Sequence, residues 1–182
     1  MHETKLKYII KECEEGKPEA FRAIVAAYQT LVYSTAFRFL CNEDDAKDVT
    51  QETFIRVWEN LSAFNFQNKF STWIYTIVTR LCMDVLKKSN RKTMFNNVDD
   101  LLLEMSSNEN VERKIENEQL SQIIQRLTCD LSPKQRIVFV LHYFEEKDTG
   151  EIQEITGLSS EKIKSNLYVA KQKIITKLKA LK

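Results

Sequence analysis

With 182 residues, 43% of them hydrophobic, the chain is long enough for one medium domain or two small ones, each with a core of its own. Three Gly and two Pro leave little material for tight turns, which argues against a strand-rich fold and makes all-α the expected class. Lys+Arg number 27 against 26 Asp+Glu, a net charge of +1, so the whole-chain balance says nothing about nucleic acid and only the distribution of charge can.

In chain order, Met1 to Lys5 lacks the apolar core of a signal peptide, and no later apolar run approaches the length of a membrane span. A cytoplasmic place is therefore expected. Lys17-Pro18-Glu19 has the form of a helix start with Pro in the first turn. Phe21, Ile24, Val25, Tyr28, Leu31, Val32, Ala36, Phe39 and Leu40 then follow at helical spacing. Asn42 is placed to cap the next helix, whose first turn is acidic (Glu43, Asp44, Asp45) and whose apolar stripe runs from Ala46 to Leu61. A loop dense in Phe and Asn, 62–69, precedes a third helix carrying Trp73, Ile74, Ile77, Val78, Leu81, Val85 and Leu86. Residues 93–110 are polar and acidic apart from Leu101-Leu102-Leu103 and read as a linker; helicity resumes near Val111.

Leu131-Ser132-Pro133 is a sharp helix start, with Ile137, Val138, Leu141 and Phe144 as its buried stripe. Asp148 with Glu151 three residues on has the pattern of a capping box. The short helix it opens should stop at Gly157, which suits a left-handed turn position. Ser159 or Ser160 then caps a last helix with Ile163, Leu167, Ala170, Ile174 and Leu178 inward. Short helix, Gly-containing turn and longer helix make a helix-turn-helix. Its second helix would present Lys164, Ser165 and Tyr168 outward, groups able to bond phosphates or base edges.

Charge is segregated along the chain. Arg80, Lys87, Lys88, Arg91 and Lys92 face one acid, Asp84, and from Ser160 onward seven lysines face Glu161 alone. The stretch between them is acidic. Two anion-facing surfaces separated by an acidic middle are one reading of this pattern, and solvated helix faces are the other. The four cysteines, Cys13, Cys41, Cys82 and Cys129, form no CxxC pair, and His2 and His142 lie far apart, so no metal site and no cofactor are expected. Cys41 and Cys82 follow apolar helical positions and read as buried thiols, which fits a reducing compartment.

Two sets of motifs carry a resemblance. Leu131-Ser132-Pro133-Lys134-Gln135-Arg136, Glu151-Ile152, Gly157-Leu158-Ser159 and Ile163-Lys164-Ser165-Asn166-Leu167 resemble the promoter-reading domain of extracytoplasmic-function sigma factors, and also the DNA-binding domain of response regulators. The segment from Asp45 to Trp58 decides between them: Asp45-Ala46-Lys47-Asp48-Val49-Thr50-Gln51-Glu52-Thr53-Phe54-Ile55-Arg56-Val57-Trp58 is similar to that sigma family's polymerase-binding helix. Phe70-Ser71-Thr72-Trp73-Ile74-Tyr75-Thr76-Ile77 resembles the segment leading into its −10-reading helix.

The resemblance implies a non-enzymatic initiation factor with two small helical domains, 1–95 and 113–182, joined by an acidic linker, 96–112. Core RNA polymerase would be bound by Asp45, Asp48, Gln51, Glu52 and Ile55, whose carboxylates recur about once per helical turn. The −10 element would meet Asn65, Gln67, Asn68, Lys69, Arg80, Lys87, Lys88 and Arg91; Phe64 and Phe66 either offer stacking surfaces there or, the commoner fate of any one such ring, enter the core. The −35 element would meet Ser160, Lys162, Lys164, Ser165, Tyr168 and Lys171. Promoter DNA, core polymerase and an anti-sigma protein, membrane-linked in many members, are the implied partners; no small-molecule substrate is. Where the family often carries Asn this chain has Arg80, and where many members carry Arg it has Asn166 and Val169. Two other readings stand beside this one: a dimeric helix-turn-helix regulator that does not join polymerase, and a helical interaction module with no DNA role.

Overall fold

The computed structural model of the chain describes residues 3–93, 123, 124 and 126–180. The linker 96–112, the resumption of helix near Val111 and the Arg91 side chain lie outside the described residues. Every regular element described is helical: α1 (Glu3–Glu14), α2 (Phe21–Leu40), α3 (Glu43–Glu59), α4 (Phe70–Thr93), α5 (Pro133–Tyr143), α6 (Thr149–Thr156) and α7 (Ser160–Ala180), with 3-10 turns at Pro18–Ala20 and Leu61–Ala63. No described helix is long and apolar enough to cross a membrane.

The helix ends follow local chemistry. Asn42 Oδ1 accepts the Asp45 backbone N–H at 2.9 Å, and three acids in the first turn of α3 favour the positive end of its dipole. Asp148 and Glu151 exchange side-chain and backbone hydrogen bonds of 2.8 and 3.2 Å, closing the capping box that starts α6. Gly157, at φ 69°, ends that helix in the left-handed region. Ser159 is the cap of α7, its Oγ accepting from the Lys162 N–H at 3.4 Å. Among the described elements, α1 is the helix that the amino-terminal sequence did not announce. It buries Leu6, Ile9 and Ile10 beside α2 and the two 3-10 turns.

Helices α2, α3 and α4 pack on one another, as do α5, α6 and α7. The two sets also pack together, α2 and α4 against α5, and α4 against α6. One continuous buried cluster runs from Ile24, Val32, Phe39, Val57, Ile74 and Val78 into Ile137, Val138, Leu141, Ile152 and Ile155. Fully burying a side chain of this size stabilises by roughly 1.5–3 kcal/mol before entropy is counted. The consequence for α5 is plain: Arg136, Ile137, Val138, Phe139, Val140 and Leu141 are all buried, since the helix lies between α2 and α4 on one side and α7 on the other.

Polar groups also cross this seam. The Glu145 carboxylate, at the end of α5, accepts from Arg38 at 2.5 Å and from the Tyr75 hydroxyl at 2.7 Å. Burial, and then Glu145 itself, push the Tyr75 hydroxyl above its ordinary pKa, so it stays a donor. The buried Arg136 guanidinium donates to the carbonyls of Phe39 (2.8 Å), Thr128 (3.1 Å), Leu131 (3.4 Å) and Cys129. Phe39 lies in the last turn of α2, where carbonyls have no partner within the helix, so Arg136 caps a helix of the other set.

The expectation of a buried Cys41 thiol is overturned. Cys41 forms a disulfide with Cys129, with the Cα atoms 6.1 Å apart. Helix α2 ends at Leu40, and Cys41 takes the left-handed conformation of the cap, φ 56°. That turn rotates its side chain off the apolar stripe that the preceding residues follow. Cys82 is the buried free thiol that its position suggested. The bridge spans a sequence separation of 88, and closing a loop of that size in the unfolded chain is worth about 4–5 kcal/mol on a chain-entropy account. A Cys41→Ser chain is therefore expected to melt roughly 10 °C below the bridged protein. Calorimetry of both proteins without reductant measures this, and coincident transitions would show that the bridge adds no stability.

Candidate nucleic-acid interface

The acidic helix offers a mixed surface. Asp45, Asp48, Gln51 and Ile55 are exposed on α3, and Glu52 is half-buried, its carboxylate paired with Arg56 at 2.7 Å. The inward side of the helix holds Ala46, Val49, Thr53 and Val57. Beside the acids lies an apolar groove lined by Phe21, Val25, Phe54, Ile55 and Trp58. Ile55 and Trp58 are 43% and 41% exposed and lie together in that groove, as one apolar patch beside the acids. Trp58 packs edge-on against Phe21 of α2, with ring centroids 5.1 Å apart. Phe21 and Trp58 thus join the surface that the carboxylates mark, and the signal for them was the position of Trp58 one residue past the buried Val57.

The loop before α4 separates its residues by chemistry. Asn65, Gln67, Asn68 and Lys69 are exposed. Asn65 Oδ1 accepts from the Gln67 N–H at 3.1 Å, and the two side-chain amides meet at 3.3 Å, which fixes a local turn. Phe66, at φ 57°, sits in the left-handed region within that turn. Of the two fates open to the Phe residues the core prevails: Phe64 is buried among Phe66, Phe70 and Trp73, and Phe66 is half-buried on Phe64 under the Lys7 ammonium. Burial of rings this large outweighs their use as an open platform. The half-buried Trp73 instead lines a cavity with Asn65, Asn68, Thr72 and Thr76. Along α4, Arg80, Lys87 and Lys88 are exposed, Lys87 sharing its charge with Asp84 at 3.3 Å.

In α7, Ile163, Ala170 and Ile174 are buried, which turns Lys162, Lys164, Ser165, Tyr168 and Lys171 to solvent; Ser160 is half-buried. Tyr168 is 67% exposed. Asn166 folds back on its own turn and donates to the Lys162 carbonyl at 2.7 Å, so it does not extend as an Arg there would. Glu161 is held below the ordinary carboxylate range by its own backbone amide and the Ser159 hydroxyl. An exposed face of lysines, a hydroxyl and a phenol on a helix about 30 Å long has the dimensions to lie in a major groove.

Comparison with known proteins follows the same division of the chain. A family described as Sigma-70 region 2 matches residues 24–92, and one described as Sigma-70, region 4 matches residues 121–174. The ECF RNA polymerase sigma factor SigW of Bacillus subtilis (strain 168) is 30% identical, over 98% of this chain and 100% of that protein. The ECF RNA polymerase sigma-E factor of Haemophilus influenzae is 25% identical over 95% of each. Two solved structures share the fold. The sigma factor RpoE, in complex with the anti-sigma factor NepR from Bartonella quintana, superposes with a TM-score of 0.67 at 17% identity, covering 87% of this chain and 96% of that one. CnrH, in complex with the cytosolic domain of CnrY, superposes with a TM-score of 0.66 at 20% identity, covering 97% and 98%.

Proposed function

The chain belongs to the ECF RNA polymerase sigma factors, and from that premise we infer that it performs the family's work with the surfaces described above. It binds core RNA polymerase and directs promoter-specific initiation of transcription; it is not an enzyme. The observation that carries this reading is the coexistence, in one chain, of an acidic and apolar docking face on α3 with an exposed basic face on α7. A regulator that only bound DNA would need the second alone.

In this assignment Asp45, Asp48, Gln51, Glu52 and Ile55, with Phe21 and Trp58, dock on a basic, partly apolar element of polymerase. Asn65, Gln67, Asn68 and Lys69 hold non-template bases beside Trp73, while Arg80, Lys87, Lys88 and Arg91 track phosphates. Ser160, Lys162, Lys164, Ser165, Tyr168 and Lys171 read the −35 element. The factor works in the cytoplasm, where polymerase and promoter are. An anti-sigma protein is its keeper, by analogy with the partners of RpoE and CnrH. Run-off transcription with purified core polymerase tests the reading as a whole: transcript from a selected promoter requires the chain. DNA binding without transcript would favour the regulator, and neither activity would leave an interaction module.

The recognition helix has its own test. Lys164→Ala removes one phosphate contact from an exposed position and leaves the core of α7 untouched. The slope of log affinity for −35 duplex against log salt should therefore fall by about 0.9. Substitution of Ser165 or Tyr168 should change sequence preference more than this slope. A folded Lys164→Ala protein with the original affinity and slope would place DNA on another face.

A further inference from the structure

We propose that Cys41 and Cys129 are a reversible redox modification site: the oxidised pair staples the two helical sets into a closed arrangement that cannot initiate, and reduction by a dithiol releases them. The proposal rests on the initiation reading above. Cys41 caps α2, and Cys129 lies in the turn ahead of α5, so the bond joins the set that carries the polymerase and −10 surfaces to the set that carries the −35 helix.

The two sulfurs are brought together by a group that does not depend on the bond. Arg136 donates both to the carbonyl of Phe39, two residues before Cys41, and to the carbonyl of Cys129 itself. Until polymerase and DNA draw the two sets apart, the dithiol form therefore keeps the pair in register and ready to re-form. Both half-cystines are half-exposed, within reach of small thiols and disulfides. Cys82, by contrast, is fully buried, with its thiol pushed up by burial, and stands apart from the exchange.

The closed arrangement conflicts with promoter capture. Glu154 of α6 lines one cavity with Asn65, Asn68 and Trp73, so the second helical set brings an acid to the surface assigned to the −10 strand. Lys134 of α5 and Thr156 of α6 line a second cavity together with Arg80 and Lys87 of α4. A strand laid along the loop and α4 meets both helices. Distance gives the same result. The −10 and −35 elements lie about 25 base pairs apart, roughly 85 Å at 3.4 Å per pair. Two helical sets that share one core cannot reach across that length, so initiation requires them to part. A covalent bond between the sets forbids this, whereas the hydrogen bonds and apolar contacts of the seam can be exchanged for contacts with polymerase and DNA.

The chemistry balances as thiol–disulfide exchange with a low-molecular-weight disulfide such as oxidised glutathione. One cysteine thiolate attacks the small disulfide, forming a mixed disulfide and expelling one thiolate. The second cysteine thiolate then attacks the protein-side sulfur and expels the other. Two protein thiols lose two protons and two electrons; the oxidant leaves as two thiols. A dithiol reductant reverses both steps.

The test uses the full chain with core polymerase and a linear promoter template. The chain is treated with oxidised glutathione or dithiothreitol, and intact mass reads the loss of two hydrogens. The bridged protein should give about tenfold less run-off transcript or lower, as expected when the open state is covalently excluded, and dithiothreitol should restore it. Cys41→Ser should be equally active under both treatments, which separates the staple from glutathione adducts on Cys13. A bridged chain as active as the reduced one, or a chain in which no bridge forms, overturns the staple and leaves the initiation reading standing. A reduced wild-type chain that gives no transcript overturns the initiation reading, and the switch with it.

Discussion

Exchanging Asp48 and Glu52 together for lysine is expected to abolish co-purification with core RNA polymerase while leaving the helical content unchanged. Both carboxylates sit on the solvent side of α3, opposite the buried Ala46, Val49, Thr53 and Val57. The Glu52–Arg56 pair at 2.7 Å is an exposed i,i+4 contact, screened by solvent and of little consequence to folding. Binding is another matter, because the double change would place two cations against the basic polymerase element proposed as the partner of α3. Like-charge juxtaposition of this kind costs several kcal/mol, and about 3 kcal/mol already weakens affinity more than 100-fold. Ile55→Ala and Trp58→Ala should weaken binding too, without altering its salt dependence, because their contribution is apolar. Retained co-purification by a folded double lysine variant would remove α3 from the polymerase interface.

Arg136→Ala should be strongly destabilising in the reduced protein, where the disulfide makes no contribution. Arg136 is 8% exposed, and its guanidinium donates to four carbonyls, one of them, that of Phe39, across the joint between the helical sets. Removing it leaves buried acceptors without donors at about 1–3 kcal/mol each, so a total of about 3 kcal/mol or more is expected even if water satisfies some of them. Lysine should not rescue, since one ammonium cannot reproduce a planar fork that reaches several carbonyls at once. Urea unfolding under dithiothreitol isolates the effect from the disulfide. An unchanged midpoint in Arg136→Ala would mean that the α2 end and the turn before α5 find other partners.

Much of this architecture was legible because it is local. Asn42, Ser132-Pro133, Asp148 with Glu151, and Gly157 act within one helical turn, so a reader needs only neighbouring residues to place the starts and stops of α3, α5 and α6. The same holds for the outward face of α7: once Ile163, Ala170 and Ile174 turn inward, Lys164, Ser165 and Tyr168 have nowhere else to go. The outward position of the α3 carboxylates follows in the same way from the inward Ala46, Val49, Thr53 and Val57. The loop before α4 was legible only in part, since its amides stay in water, but aromatic residues in a polar loop carry no mark of which core they enter.

By itself, then, the sequence determined the helices, their caps, the segregation of charge and the family motifs, all of which depend on residues a few positions apart. The tertiary structure alone decided what each apolar stripe faces. A stripe reports that a residue is buried and not against what, so the packing of α5 and α6 on α2 and α4 could not be read from periodicity. Nor could the union of Cys41 with Cys129: their separation of 88 has no local signature, and the geometry that joins them depends on the cap of α2, the turn before α5 and Arg136 meeting at one point.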